Sequence, residues 1–305
     1  MFYKVGNMKR LLTIIPLVIL LCFAFGCQQG EEVVVEKEVE STITVDNAIS
    51  ADGVSIAYEV RGEGEPALVF VHGWCCDRNY WKEQLPYFSD KYKVVAIDLG
   101  GLGESGSGRT DWTLAAYGDD VAAVVEKLNL DKAVLIGHSM GGYVILEAER
   151  RIPERVIGLV PVDVFSNVEE KRTQEYLDKV YAPFQANFEK AMRDNFSEFA
   201  EWGDPVLLEI LFACPPDIGR SSQKAYSNYR NNELTLALTA VQAPITCINR
   251  ESKPVDLEAA RKYSASFDVI YMSGVGHLLI LEDPVTFNRL LTETIQEFVQ
   301  TAKSK

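Results

Sequence analysis

One ten-residue stretch, 133–142, constrains the fold of this chain more than any other. It reads AVLIGHSMGG, an apolar run typical of a short buried strand, then a turn with Ser139 at its apex, then apolar residues at helical spacing. A serine in so sharp a turn takes a strained backbone conformation, and the glycines two positions away on either side let strand and helix approach closely. The stretch therefore predicts a strand, a tight turn that exposes Ser139, and a helix whose first amides face the serine.

Three segments of the chain resemble the α/β-hydrolase family. The pattern G-x-S-x-G, in its strand–turn–helix setting, resembles the nucleophile elbow of that fold. A His-Gly-Trp segment that begins at His72, and the pattern G-x-G-H-x-x-x-x-E-D-P around His277, resemble its oxyanion loop and its histidine loop. The resemblance covers residues 45–303. It implies an α/β fold with a mostly parallel central sheet flanked by helices, and a helical cap at about 164–238 inserted after the strand that follows the elbow helix.

The same resemblance implies the roles of four residues. Ser139 is expected to be the nucleophile and His277 its base, while the backbone N–H groups of Trp74 and Met140 are expected to form the oxyanion hole. The epoxide hydrolases and haloalkane dehalogenases of the family carry aspartate in place of this serine. The serine therefore implies hydrolysis of an acyl bond in a small-molecule substrate through an acyl-enzyme, and no metal or organic cofactor is implied.

The reaction stays open at this point. A carboxylic ester is the first expectation, and an amidase or peptidase, a lactonase or a cofactor-free perhydrolase would use the same triad. A catalytically silent, lipid-anchored binding protein that has kept the fold is an alternative of another class. Because caps determine the substrate, the sequence leaves the identity and chain length of the acyl group open, and the oligomeric state as well.

The identity of the carboxylate that orients His277 is also open. In most of the family this acid follows the strand that comes after the cap, but Lys253 occupies the expected position here. Asp256 and Glu251 could replace it only if that loop has shifted. In a minority of the family the acid ends the strand that follows the elbow helix, which in this chain delivers Asp163. We therefore predict Asp163, with Asp256 and Glu251 as alternatives.

The N-terminal segment is typical of an export signal. Residues 1–27 combine a positively charged start with an apolar run and end at Cys27, in a pattern that resembles the bacterial lipoprotein signal, whose cysteine is lipidated. Cys22 fits this role less well because a leucine precedes it. Residues 28–44 are rich in glutamate and are expected to be an acidic tether. The sequence thus predicts an exported protein that is lipid-anchored in the bacterial cell envelope. The alternatives are a soluble protein, secreted or periplasmic, and a protein that keeps an uncleaved N-terminal anchor.

Composition excludes several other classes. The net charge of −14 argues against nucleic-acid binding, which needs a basic face. Six cysteines are too few for a disulfide scaffold, and the vicinal pair Cys75 and Cys76 has no partner pair for a metal site. The adjacent Asp119 and Asp120 are interpreted as helix capping and solvent-exposed face.

Overall fold

The computed structural model describes residues 43–196 and 205–304. The predicted signal segment 1–27, with Cys27, and the tether up to residue 42 lie outside the described residues. The strands are Thr44–Ile49 (β1), Ser55–Arg61 (β2), Ala67–Val71 (β3), Val94–Ile97 (β4), Ala133–His138 (β5), Val156–Val162 (β6), Ile245–Arg250 (β7) and Phe267–Met272 (β8). They form one sheet in the order β1-β2-β4-β3-β5-β6-β7-β8, in which β2 pairs antiparallel with β1 and β4 and all other neighbours are parallel.

The helices alternate with the strands along the chain. Within the described residues the α-helices are Gln84–Ser89 (α1), Leu114–Lys127 (α2), Met140–Glu149 (α3), Gln174–Ala186 (α4), Phe188–Phe196 (α5), Pro205–Phe212 (α6), Pro216–Asn232 (α7), Leu234–Ala240 (α8), Leu257–Arg261 (α9), Leu279–Glu282 (α10) and Pro284–Lys303 (α11). Helix α2 packs on α3, and α1 packs on α11. No helix in this part of the chain is long and apolar enough to cross a membrane.

The central strands are buried on both faces. Every residue of β3, β4 and β5 is buried, as expected for parallel strands that helices cover from both sides. The register of β5 and β6 pairs His138 with Val162. The residues that follow, Ser139 and Asp163, therefore leave the sheet side by side at the carboxyl ends of neighbouring strands. The α/β fold with a mostly parallel sheet, predicted from the sequence, is confirmed.

We call the residues between β6 and β7 the insertion. Its helices, α4 to α8, run from Gln174 to Ala240 in the described part, against a cap predicted at about 164–238. The sheet itself begins at Thr44, one residue before the predicted start of the domain, and α11 ends at Lys303. Along the chain, the insertion thus lies between β6, which Asp163 follows, and β7.

The interpretation of the two adjacent aspartates of α2 is wrong for Asp120. The N-cap of α2 is Thr113, whose side chain accepts a hydrogen bond from Ala116 N–H. The Asp120 carboxylate is buried and lies 2.5 Å from a guanidinium nitrogen of Arg109. It also accepts a hydrogen bond from Gly100 N–H. A buried carboxylate needs a partner that compensates its charge. Here that partner is Arg109, which belongs to the loop before α2, and helical periodicity could not predict a contact with a loop residue.

Candidate active site

Ser139 occupies the turn between β5 and α3. Its backbone lies in the left-handed region, with φ 53° and ψ −115°. A Cβ at Gly137 would lie 2.3 Å from the carbonyl oxygen of Gly141, and a Cβ at Gly141 would lie 2.5 Å from the carbonyl oxygen of Val71. Both positions therefore require glycine, and the tight crossing of strand and helix holds the serine in its strained, outward-facing conformation.

His277, on the loop between β8 and α10, lies between Ser139 and Asp163. Its Nε2 is 3.2 Å from Ser139 Oγ, and its Nδ1 is 2.5 Å from Asp163 Oδ2. Because an ionised carboxylate only accepts hydrogen bonds, Nδ1 carries the proton and Nε2 is left as an acceptor for the serine hydroxyl. The structure thus brings the three residues into one chain of hydrogen bonds.

The Asp163 carboxylate is buried, and nearby positive charge and hydrogen bonds compensate its negative charge. Its side chain is 1% exposed, and Arg250 at the end of β7 approaches it twice, with Nε 3.5 Å from Oδ2 and with its backbone N–H donating to Oδ1 at 3.3 Å. Burial by itself would raise the pKa of Asp163. The hydrogen bond and charge of His277, with the positive charge of Arg250, outweigh burial and hold that pKa below its ordinary value. Asp163 is therefore ionised and can stabilise an imidazolium at His277.

The two alternative acids lie elsewhere. Asp256 is the N-cap of α9, where its Oδ1 accepts a hydrogen bond from Ala259 N–H at 3.0 Å. Glu251 accepts a hydrogen bond from the Ser273 hydroxyl at 2.6 Å and is exposed. Of the three candidate carboxylates, only Asp163 has a hydrogen bond to His277 among the contacts of the described residues.

The two predicted oxyanion donors belong to segments next to the serine, since a Cβ at Gly73 would lie 3.5 Å from Ser139 Cβ. Met140 is the first residue of α3, so its N–H has no partner within the helix. Trp74 follows β3, and the carbonyl of the preceding Gly73 accepts a hydrogen bond from His72 Nδ1 at 2.8 Å. The N–H of Leu99 donates to His72 Nε2 at 3.0 Å, which fixes this tautomer. In a trans peptide the C=O and N–H point in opposite directions, so the buried His72 sets the direction of the Trp74 N–H.

His138 holds the histidine loop through a hydrogen bond to the backbone of His277. Its ring is buried beside the nucleophile, and its Nε2 lies 2.8 Å from the carbonyl oxygen of His277, to which it donates. Burial, reinforced by the nearby charge of His277, lowers the pKa of His138 from 6.5 to about 3. The ring is neutral at ordinary pH, and it positions the His277 backbone without taking part in proton transfer.

This buried histidine predicts a particular pH dependence of stability. The folded state disfavours protonated His138, so its contribution is complete above pH 6.5 and is lost as the pH falls toward 3. Between pH 7 and pH 5 we expect His138 alone to remove about 2 kcal/mol from the free energy of unfolding. Urea unfolding of wild type and His138→Gln at both pH values measures the difference, because the glutamine amide keeps a donor but does not titrate. An identical loss in both proteins would contradict the prediction.

A disulfide ties the oxyanion loop to the insertion. Cys75, next to Trp74, is bonded to Cys214 between α6 and α7. The Trp74 indole N–H also donates to the carbonyl of Gly219 in α7 at 2.9 Å, and its ring meets those of Phe184 and Phe188 edge-on. The sequence did not suggest this pairing, because the two cysteines are 139 residues apart and neither lies in a recognisable motif.

A family model matches more than half of the chain. Residues 66–253 match the family described as alpha/beta hydrolase fold. The match begins just before β3 and ends after β7, so it includes Ser139 and Asp163. His277 lies beyond it.

Individual proteins extend the similarity. Strigolactone esterase RMS3 of Pisum sativum is 29% identical over 217 residues, which cover 66% of this chain and 79% of that protein. The enzyme 3-oxoadipate enol-lactonase 2 of Acinetobacter baylyi is 22% identical over 269 residues, covering 83% and 97% of the two chains. A solved thermophilic esterase from Thermogutta terrifontis has a TM-score of 0.67 at 22% identity and covers 84% of this chain and 99% of its own. The last two likenesses show a shared fold.

Proposed function

The chain belongs to the α/β-hydrolase fold family, and we propose that it hydrolyses a carboxylic ester through an acyl-enzyme formed on Ser139. One observation carries the proposal, namely the unbroken chain of hydrogen bonds from Ser139 through His277 to the ionised Asp163. This arrangement can activate a serine hydroxyl and return its proton to a leaving group.

The proposed reaction assigns one group of the site to each step. Ser139 Oγ attacks the carbonyl carbon while His277 Nε2 takes the hydroxyl proton, and the N–H groups of Trp74 and Met140 hold the resulting oxyanion. The imidazolium then gives its proton to the departing alkoxide, which leaves the acyl group on the serine. A water molecule repeats the attack with His277 as base, and the carboxylic acid departs. Asp163 keeps the imidazole in the required tautomer throughout.

Hydrolysis of a lactone is the second candidate. It is favoured by the likeness to 3-oxoadipate enol-lactonase 2, which extends over 83% of this chain. A lactone is a cyclic ester, so the same steps apply, and only the released alcohol stays attached to the acid. Amide hydrolysis and perhydrolysis use the same triad and remain alternatives, as does a binding protein without turnover.

A covalent probe separates the enzyme from the binding protein. We expect a fluorophosphonate to label Ser139 in the wild type and not in Ser139→Ala. A p-nitrophenyl ester series of rising chain length then measures which acyl groups are turned over. Absence of both labelling and ester turnover in folded wild-type protein would favour the catalytically silent alternative.

We also propose that the enzyme is exported and held in the bacterial cell envelope by a lipid on Cys27. The proposal rests on the signal pattern at 1–27. It is supported by the disulfide between Cys75 and Cys214, since such bonds persist in oxidising compartments outside the cytoplasm. Bacterial lipoproteins carry three acyl chains, which anchor a protein far more firmly than one.

Lipidation has a direct test. Cys27→Ser is expected to abolish incorporation of labelled palmitate and to release the protein from membranes or leave it unprocessed. Cys22→Ser, which removes the rival cysteine of the same segment, is expected to keep both the label and the membrane attachment. Unchanged labelling of Cys27→Ser would make the lipoprotein proposal wrong.

A further inference from the structure

A cavity of about 420 Å³ lies where the insertion meets the loop after β7. Four of its lining residues are cations: Lys171, Arg172 and Arg230 belong to the insertion, and Lys253 to the loop. Against these four positive charges stands a single lining carboxylate, Glu170, which leaves a local charge of +3. Such a concentration of positive charge is unexpected in a chain whose net charge is −14. Ser139 and His277 do not line this cavity.

The positive charges of the cavity are poorly neutralised. Among the ion pairs of the described residues, none involves Lys171, Arg172 or Lys253, and Arg230 pairs with Glu170. The Arg230 side chain is only 6% exposed, and its buried Nε has no hydrogen-bond partner. Clustered like charges repel one another, and an anion that enters the cavity would relieve this repulsion.

The wall of the cavity is held in place before any ligand binds. The side chain of Asn231 accepts a hydrogen bond from the N–H of Arg172 at 2.9 Å and donates to its carbonyl at 2.8 Å. Thr173, the next residue, is the N-cap of the 13-residue α4 and also lines the cavity, so the positive end of that helix dipole lies at the wall. The Arg172 guanidinium lies 5.4 Å from the ring centre of Tyr176. A wall fixed in this way loses little freedom when it binds a ligand.

We propose that this cavity is a second binding site, separate from Ser139, for an anion that carries a phosphate group. Two arginines, two lysines and a helix N-terminus suit a doubly charged phosphate better than a single carboxylate. The phosphate can come from a soluble phosphate monoester or from the monoester headgroup of an anionic phospholipid. In either case it bridges Lys253 to Lys171 and Arg172, and so fastens the insertion to the sheet.

The test is thermal unfolding of the full chain in a nonionic detergent. Sodium phosphate is titrated while chloride keeps the ionic strength constant, so that screening does not change. We expect wild type to show a saturating rise in Tm of about 2–4 °C. The double variant Arg172→Gln/Lys253→Gln is expected to lose it. The matched control Lys179→Gln/Lys224→Gln removes two exposed lysines of the insertion that do not line the cavity, and it is expected to keep the rise.

A second arm identifies the source of the phosphate. Dihexanoyl phosphatidic acid, whose headgroup is a phosphate monoester, acting at lower concentration than inorganic phosphate, with no effect of the phosphatidylcholine analogue, supports a lipid headgroup. Inorganic phosphate acting at equal or lower concentration supports a soluble ester. No saturating rise with either anion, or equal rises in the two double variants, overturns the proposal. If the cavity double variant does not fold, Lys253→Gln alone should raise the half-maximal phosphate concentration about tenfold, and no change overturns the proposal.

Discussion

Replacement of either Ser139 or His277 by alanine is expected to lower kcat by about 10⁴–10⁶-fold, and replacement of both by little more. Each variant removes one end of the same proton transfer, since His277 Nε2 and Ser139 Oγ lie 3.2 Å apart. Once one partner is gone, the other has nothing to act on, so the two losses do not add. Initial rates on a p-nitrophenyl ester, with fluorophosphonate labelling as a second readout, measure the effect.

His138 is the matched control for the base. It is buried next to the nucleophile, and it donates to the His277 carbonyl without reaching the reacting atoms. His138→Ala is therefore expected to lower kcat far less than His277→Ala, through a less firmly held histidine loop. If His138→Ala proved as damaging as His277→Ala in a folded protein, the assignment of the base would be wrong.

The second large effect is expected at the acid. Asp163→Asn should leave the fold intact and lower kcat by about 10³–10⁴-fold, because an amide in place of the carboxylate favours the wrong imidazole tautomer. If the amide N–H₂ donates to His277 Nδ1, the proton moves to Nε2, which then faces Ser139 and cannot accept from it. Steady-state kinetics with a far-ultraviolet spectrum of the variant separates this loss from unfolding.

Asp256 supplies the control for that experiment. It caps α9 through a hydrogen bond that asparagine also makes, so Asp256→Asn should change neither kcat nor stability appreciably. Each of the two variants loses one negative charge from a residue that follows a strand of the sheet, Asp163 after β6 and Asp256 after β7. A large loss in Asp256→Asn with little change in Asp163→Asn would refute the acid assignment and leave the serine nucleophile standing.

Local sequence was sufficient for the parts of the site that a few consecutive residues determine. The geometry around Ser139 depends on close contacts of Gly137 and Gly141, and both glycines belong to the motif itself. The preference for Asp163 came from the resemblance to the minority of the family whose acid ends the strand after the elbow helix, and the register of β5 and β6 places Ser139 and Asp163 side by side. The fold class was implied by the resemblance of three such short motifs to the α/β-hydrolase family.

Contacts between distant segments could not be predicted. The bond between Cys75 and Cys214 joins residues without a shared motif, and Asp120 is buried only because Arg109 reaches it from a loop. Arg250 ends an apolar strand, where nothing in the sequence indicates a carboxylate 3.5 Å from its guanidinium. Such partners are chosen by tertiary packing, which local periodicity does not record.

The disulfide between the oxyanion loop and the insertion limits how the enzyme opens. A cap that lifts from a sheet needs a hinge and a free edge. Here the corner between α6 and α7 is fastened, with the Cα atoms of Cys75 and Cys214 5.1 Å apart, so any opening of the insertion must leave this corner in place. A swing that displaced Cys214 would pull on the residue next to Trp74. Movement of the insertion at this corner would therefore also move the predicted oxyanion donor.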